Sequence, residues 1–270
     1  MIQLQDLTAT PMKQPERIGP YTLLRRLGHK RSSRVWLAMA GADAQTVALK
    51  IAREGDEAGR QRMIHEVSIA AGFDHPNIVR LFECGASRGV TWIAMAYVPG
   101  PHIKPTLASF RQLLLALVHV HAHDVIHAAI EPANLLLDAA GELRLGDFGS
   151  ACRAGQDAGP AHGTPQFMAP EQLLGQPLDV RADIFSAGVV LYQVLTASLP
   201  FDGAAFDLIP HIGHRLPPAP SAVSPGLGSG FDEVIKRALA RDRVDRYGNA
   251  FEFLCAFDAA CRRTLKPVVP

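Results

Sequence analysis

Apolar residues in this chain recur at two different periods, and the change between them comes about one third of the way along. In "RVWLAMA" (34 to 40) and "TVALKIA" (46 to 52) they alternate, as in half-buried strands, and "GADAQ" between the two supplies a hairpin turn. In the second strand Val47, Leu49 and Ile51 share one face, and Ala48, Lys50 and Ala52 share the other. A lysine flanked by alanines thus lies on a face with room for a flat group. In "EAGRQRMIHEVSIAAGF" Met63, Val67 and Ala70 follow helical spacing, with Glu66 beside the stripe. From Thr106 onward Leu107, Phe110, Leu114 and Leu117 repeat at three and four, which predicts a buried helix to about His123. The switch of period predicts an α+β chain of two lobes, the first strand-rich with one helix and the second helical.

A chain of 270 residues can bury one large core or two modest ones. With 27 basic and 26 acidic residues there is no global field to draw a nucleic acid or an anionic membrane, so no nucleic-acid partner is expected. The four cysteines (Cys84, Cys152, Cys255, Cys261) lack C-x-x-C spacing and are too few to staple the chain, which points to a reducing cytoplasm. "MIQLQDLTATPMKQPERIG" lacks the charged start and apolar run of a secretory signal, and residues 1–18 read as a short leader. The most apolar segment, "IFSAGVVLYQVLTASLPF" from Ile184, contains Ser186, Gln193 and Thr196. It falls short of the ~20 apolar residues a bilayer span needs, which predicts a core helix and no membrane span. "HRLPPAPSAVSPGLGSGF" (214 to 231) reads as a loop. The histidines at 119, 121, 123 and 127 resemble a metal tract, but on a helix His119 and His123 share a face while His121 points away.

Seven strings occur in order: "TVALK", "HPNIVRL", "NLLLD", "GDFG", "GTPQFMAPE", "DIFSAG" and "RALARDRVDRY". Together they resemble the signature set of a protein kinase domain of the bacterial Ser/Thr type, from about Tyr21 to the last helix. The resemblance implies a two-lobed kinase-like domain over 19–265, with lobes 19–97 and 98–265 and a tail at 266–270. It implies ATP and Mg²⁺ as well. Lys50 would hold the α and β phosphates and be fixed by Glu66; Asn134 and Asp147 would hold the metal; Gly28, Val35, Ala48, Tyr97 and Leu136 would line the nucleotide. Architectural roles fall to His127, packed beneath Phe148 in a stack with Leu81 and Ala70, to a Glu171–Arg246 pair, and to Asp183 behind the catalytic-loop backbone.

The departures from that pattern are concentrated at functional positions. Active relatives carry H-R-D with a lysine two residues after the aspartate; here His127, Ala128, Ala129 and Glu131 stand there. Alanine accepts no proton, and a positioned base is worth about 10²- to 10⁴-fold. Glu131 also sets a negative charge where a cation would steady the γ-phosphate. In "LGHKRSSRV" Gly28 and Val35 remain, whereas Lys30 and Ser33 replace the second and third glycines of the phosphate loop. These substitutions predict a degenerate member, a pseudokinase that binds Mg-ATP with little or no phosphotransfer and regulates or scaffolds an unidentified protein partner. The alternative is a weakly active Ser/Thr kinase, or another phosphoryl or nucleotidyl transferase, with Asp124 or a water replacing the base.

Overall fold

The structure, a computed structural model, describes residues 16–29, 33–41, 45–52, 55–87, 89–100, 105–155, 163–201 and 217–264. Residues 1–15 of the leader, Lys30, most of "GADAQ", part of the 214–231 segment and the tail lie outside these residues, whereas Arg17 and Ile18, read as the end of the leader, pair with Thr22 and Tyr21 as strand. The chain divides into two compact units, one of residues up to Met63 with Phe82–Tyr97, the other of Ile64–Leu81 with the residues from Val98 onward.

The first unit is built on a sheet of β1 (Arg17–Ile18), β2 (Tyr21–His29), β3 (Ser33–Ala40), β4 (Gln45–Ala52), β5 (Leu81–Ser87) and β6 (Val90–Ala96), in the order β1-β2-β3-β4-β6-β5. The alternation read from the sequence sets its two faces. Leu23, Ala38, Val47, Leu49 and Ile51 pack with Tyr21, Trp92 and Ala94 in one apolar cluster. On the other face the antiparallel register aligns Gly28 with Val35, Val35 with Lys50 and Lys50 with Ile93. Directly paired residues share a face, so three of the nucleotide positions read from the sequence form a row across adjacent strands. Leu37, Ala48 and Met95 form the next row. Register shifts at Leu23/Arg25 and Arg26/Gly28 twist β2 where it approaches Gly28.

The first helix, α1 (Glu57–Ala70), contributes to both units. In the second unit α2 (Leu107–His121) is opened by a reciprocal cap: Thr106 Oγ1 accepts from Ser109 N, and Ser109 Oγ accepts from Thr106 N. Its Phe110 packs on Phe253 and Phe257 of the last helix, α7 (Ala250–Thr264). The apolar run from Ile184 is α4 (Arg181–Thr196), 16 residues long and buried from Ala182 through Tyr192; no helix among the described residues is long and apolar enough to cross a membrane. Gly188 lets α4 approach α6 (Asp232–Ala238), since a methyl group there would stand 2.9 Å from Ala238 Cβ. Short helices α3 (Pro170–Leu173) and α5 (Pro220–Val223) complete the set among the described residues.

Two expectations need correction. The segment at 214–231, read as loop, contains α5 and 3₁₀ turns at Pro225–Leu227 and Ser229–Phe231; a proline in the first turn presets φ for a helical start and loses no needed donor. The second unit also contains short strands: β7 (Val125–Ile126) pairs with β10 (Cys152–Arg153), and β8 (Leu135–Leu137) pairs with β9 (Leu143–Leu145). Strands of two or three residues are too short to show a period, yet they brace both ends of the 127–134 loop.

Candidate active site

The loop between β7 and β8 is held from beneath by one carboxylate. Asp183, wholly buried near the start of α4, accepts from His127 N at 2.8 Å through Oδ2 and from Ala128 N at 2.8 Å through Oδ1. His121 Nε2 lies 2.9 Å from Oδ2. Burial pushes this carboxyl up, but the bond and charge of His121, with His127 and its N–H, outweigh it and hold Asp183 below the usual carboxylate range. The role inferred for Asp183 is thus visible as bonds, whereas its link to His121 was missed because 62 residues separate them.

The His127 ring packs edge-on against Phe148 at 4.7 Å, and Phe73, a neighbour the sequence reading did not include, lies 5.2 Å from Phe148. Ala70 and Leu81 belong to the same apolar cluster. His127 Nδ1 accepts from Ala129 N, which leaves Nε2 to donate to Gly146 O; both bonds are 3.2 Å. The histidine tract does not converge: the His119 and His123 rings lie 4.6 Å apart, tilted 44° to each other, His121 turns to Asp183, and His127 sits under Phe148.

Ala128 has φ +58, the left-handed region that costs a non-glycine residue about 1–2 kcal/mol. The surroundings hold it there: its N–H goes to Asp183, and its carbonyl accepts from Gln172 Nε2 at 2.9 Å. Asp147, at φ +64, is in the same region.

The expected metal pair is oriented by its neighbours. Asn134 is buried and donates through Nδ2 to Ala129 O at 2.8 Å, which commits the amino end of the amide and makes the oxygen end the ligand a cation would take. A methyl group on Gly149 would come within 3.3 Å of Asp147 Oδ1 and 3.6 Å of Glu66 Oε2, so the missing side chain there makes space for two carboxylates. An amide oxygen with carboxylate oxygens is a hard donor set, and Mg²⁺ takes one or two such ligands and completes its shell with phosphates and water. The residues present therefore fit the ion. Leu136, half-buried, lies on β8.

In the first unit Lys50 and Ala48 are buried on the β4 face described above. A methyl group on Gly28 would meet no described atom within 4 Å, so no described residue requires glycine there. The Tyr97 hydroxyl accepts from Arg25 Nη2 at 3.1 Å.

Glu131 is where local sequence said least. Its Oε2 accepts from Thr164 N at 3.1 Å, across 33 residues of chain. Glu171 and Arg246 form the expected pair, with Arg246 Nη1 and Nη2 at 2.7 and 2.9 Å from the two carboxylate oxygens. Three carbonyls, of Ala240, Arg181 and Arg241, take the remaining N–H groups of the guanidinium.

Comparison with known proteins agrees with this geometry. The model of the protein kinase domain family matches residues 21–250. The serine/threonine-protein kinase PknJ of Mycobacterium tuberculosis is 36% identical over 265 residues, covering 89% of this chain and 45% of the relative. The serine/threonine-protein kinase PrkC of Bacillus subtilis is 30% identical over 266 residues, covering 89% and 41%. The chain thus spans less than half the length of these relatives. The crystal structure of the Mycobacterium tuberculosis PknI kinase domain, solved as a double mutant, superposes with a TM-score of 0.72 at 28% identity, covering 91% of this chain and 97% of that one. With its antiparallel sheet, its helical second unit and this match over most of its length, the chain belongs to the protein kinase domain family, among the bacterial serine/threonine kinases.

Proposed function

We propose that this domain binds Mg-ATP and transfers its γ-phosphoryl group to a serine or threonine hydroxyl slowly, without an aspartate base. Membership of a family of Ser/Thr kinases supports the reaction class. The observation that carries the attenuation is Ala129: it stands in a loop otherwise anchored on Asp183, Gly146 and Asn134, so the scaffold of the base persists without the carboxylate.

Lys50 would pair with nucleotide phosphates, Ala48 and Val35 would face the purine, and Asn134 and Asp147 would hold the ion, which neutralises phosphate charge when bound. Phosphoryl transfer depends mostly on positioning and electrostatics, so a chain that keeps these groups keeps part of the rate enhancement. Loss of the base alone removes about 10²- to 10⁴-fold from turnovers of about 1–100 s⁻¹. The four thiols are free, which suits a reducing cytoplasm as the place of action.

Equilibrium titration with ATP, with and without Mg²⁺, tests the binding, and transfer of γ-labelled phosphate tests the reaction. The expected result is saturable, metal-dependent binding and slow labelling above a Lys50→Ala/Asp147→Asn double variant. No binding up to millimolar nucleotide would overturn the proposal. Binding with no labelling would leave a nucleotide-binding pseudokinase acting through a protein partner, the reading that the five departures at 30, 33, 128, 129 and 131 favour.

A further inference from the structure

We infer that Glu131 is the general base left to this chain, taking the proton of the acceptor hydroxyl in place of the carboxylate missing at Ala129. This rests on the phosphotransfer reading above and supplies its proton acceptor.

The backbone brings the two positions to one side. Glu131 is extended, with φ −152 and ψ 158. Ile130 between them is buried at 1%, while Ala129 and Glu131 are both half-exposed. In extended chain residues two apart face the same way, and the alternation of burial over 129–131 follows that pattern, placing the Glu131 side chain toward the side of residue 129. Both residues, and Ile130 between them, line one small cavity, together with Ala128, Thr164 and Gln172. The truncation to alanine at 128 and 129 leaves that space open, and Glu131 is the carboxylate on its wall.

The hydrogen bonds leave this group one oxygen for an acceptor hydroxyl. Thr164 N–H engages Oε2 at 3.1 Å, which orients the carboxylate and leaves Oε1 to accept from a hydroxyl. The other carboxylates near the loop are engaged or remote. Both oxygens of Asp183 are taken by His127, Ala128 and His121. Asp147 belongs to the metal pair. Asp124, the alternative base read from the sequence, is exposed in the turn after α2 and is not among the residues lining the cavity.

In the step assigned to it, the substrate oxygen bonds to the γ-phosphorus as the bond to the β–γ bridging oxygen breaks. ADP leaves, and the hydroxyl proton passes to Glu131 Oε1 and then to water. Positions 129 and 131 lie about 7 Å apart along extended chain, and the extra methylene of glutamate over aspartate recovers only part of that offset. A misplacement of about 1 Å can cost ~10²-fold, so a displaced base accounts for slow rather than absent transfer.

Glu131→Gln tests the assignment, because the amide oxygen still accepts from Thr164 N–H but no longer takes a proton. With γ-labelled ATP and a pooled Ser/Thr peptide library, turnover should fall about tenfold or more, within the range of a general base. ATP affinity measured by titration should hold or rise, since a negative charge near the phosphates has been removed. In an Ala129→Asp background, which restores the usual base, transfer should speed up and Glu131→Gln should become nearly silent. Equal losses in both backgrounds would mean that the Glu131 charge acts on something other than the acceptor proton and would overturn the assignment, as would wild-type rates in the single variant. A wild-type chain that binds Mg-ATP and labels nothing sinks this inference while nucleotide binding stands; a chain that binds no ATP sinks both.

Discussion

Arg246 offers the clearest quantitative test of how the second unit is held together. Its side chain is fully buried at 0% exposure, against 5% for Glu171, and all five N–H groups meet acceptors: two carboxylate oxygens and three carbonyls. The guanidinium also lies 4.9 Å over the Phe185 ring. Arg246→Ala would leave a buried carboxylate and three carbonyls without this donor. Breaking a buried ion pair from one side costs about 3–5 kcal/mol. At roughly 2–4 °C per kcal/mol for a domain of this size, the loss is a fall in Tm of about 6–20 °C. Arg246→Lys keeps the charge but has three donors on one point and cannot span the five acceptors, so it should fall between wild type and alanine. Chemical denaturation of Arg246→Ala, Glu171→Ala and the double variant should give a coupling of about 0.5–3 kcal/mol. A loss below about 1 kcal/mol in Arg246→Ala, or additive single effects, would refute the idea that one guanidinium ties Glu171 to three separate carbonyls.

Asp183→Asn should lower stability at pH 7, because an amide cannot accept from both loop N–H groups and His121. As the folded carboxyl is held low, its contribution is present above the unfolded pKa of about 3.9 and is lost as pH falls through the lower folded value. The variant and wild type should therefore converge in acid denaturation below about pH 4, and a gap independent of pH would count against the charge. Gly188→Ala drives a methyl group to 2.9 Å from Ala238 Cβ and 3.0 Å from Leu239 Cδ2, so α4 and α6 must separate; overpacking of this kind costs about 1–3 kcal/mol, readable as a shift in denaturation midpoint. Burial, with the charge of Asp183, pushes the Cys152 thiol up to about 11, so it should alkylate at pH 8 much more slowly than the exposed Cys84 and Cys255; equal rates would show that the β7–β10 ribbon opens readily.

Much of the site could be read before any coordinates because its parts are local. The alternation around Lys50 places Ala48 and Lys50 on one face with no knowledge of neighbouring strands, and the β3–β4 register then sets Val35 opposite Lys50. The Thr106 start of α2 and the buried α4 likewise follow from period and capping chemistry. The short strands at 125–126 and 135–137 carried no such signal, since their pairing partners and not their own residues make them strands.

By itself the sequence determined the change of period, hence the α+β class, the kinase resemblance, and the chemical fact that no aspartate stands at 129. A missing carboxylate needs no coordinates to be noticed. Only the tertiary structure decided what the remaining polar groups do: that His121 turns to Asp183, that Gln172 steadies the strained Ala128, and that Glu131 reaches Thr164 beside the space left by Ala129. Those partners lie 33 to 62 residues apart in the chain. A hydrogen bond forms only where the folded path brings donor and acceptor within about 3 Å, and no local periodicity encodes that distance.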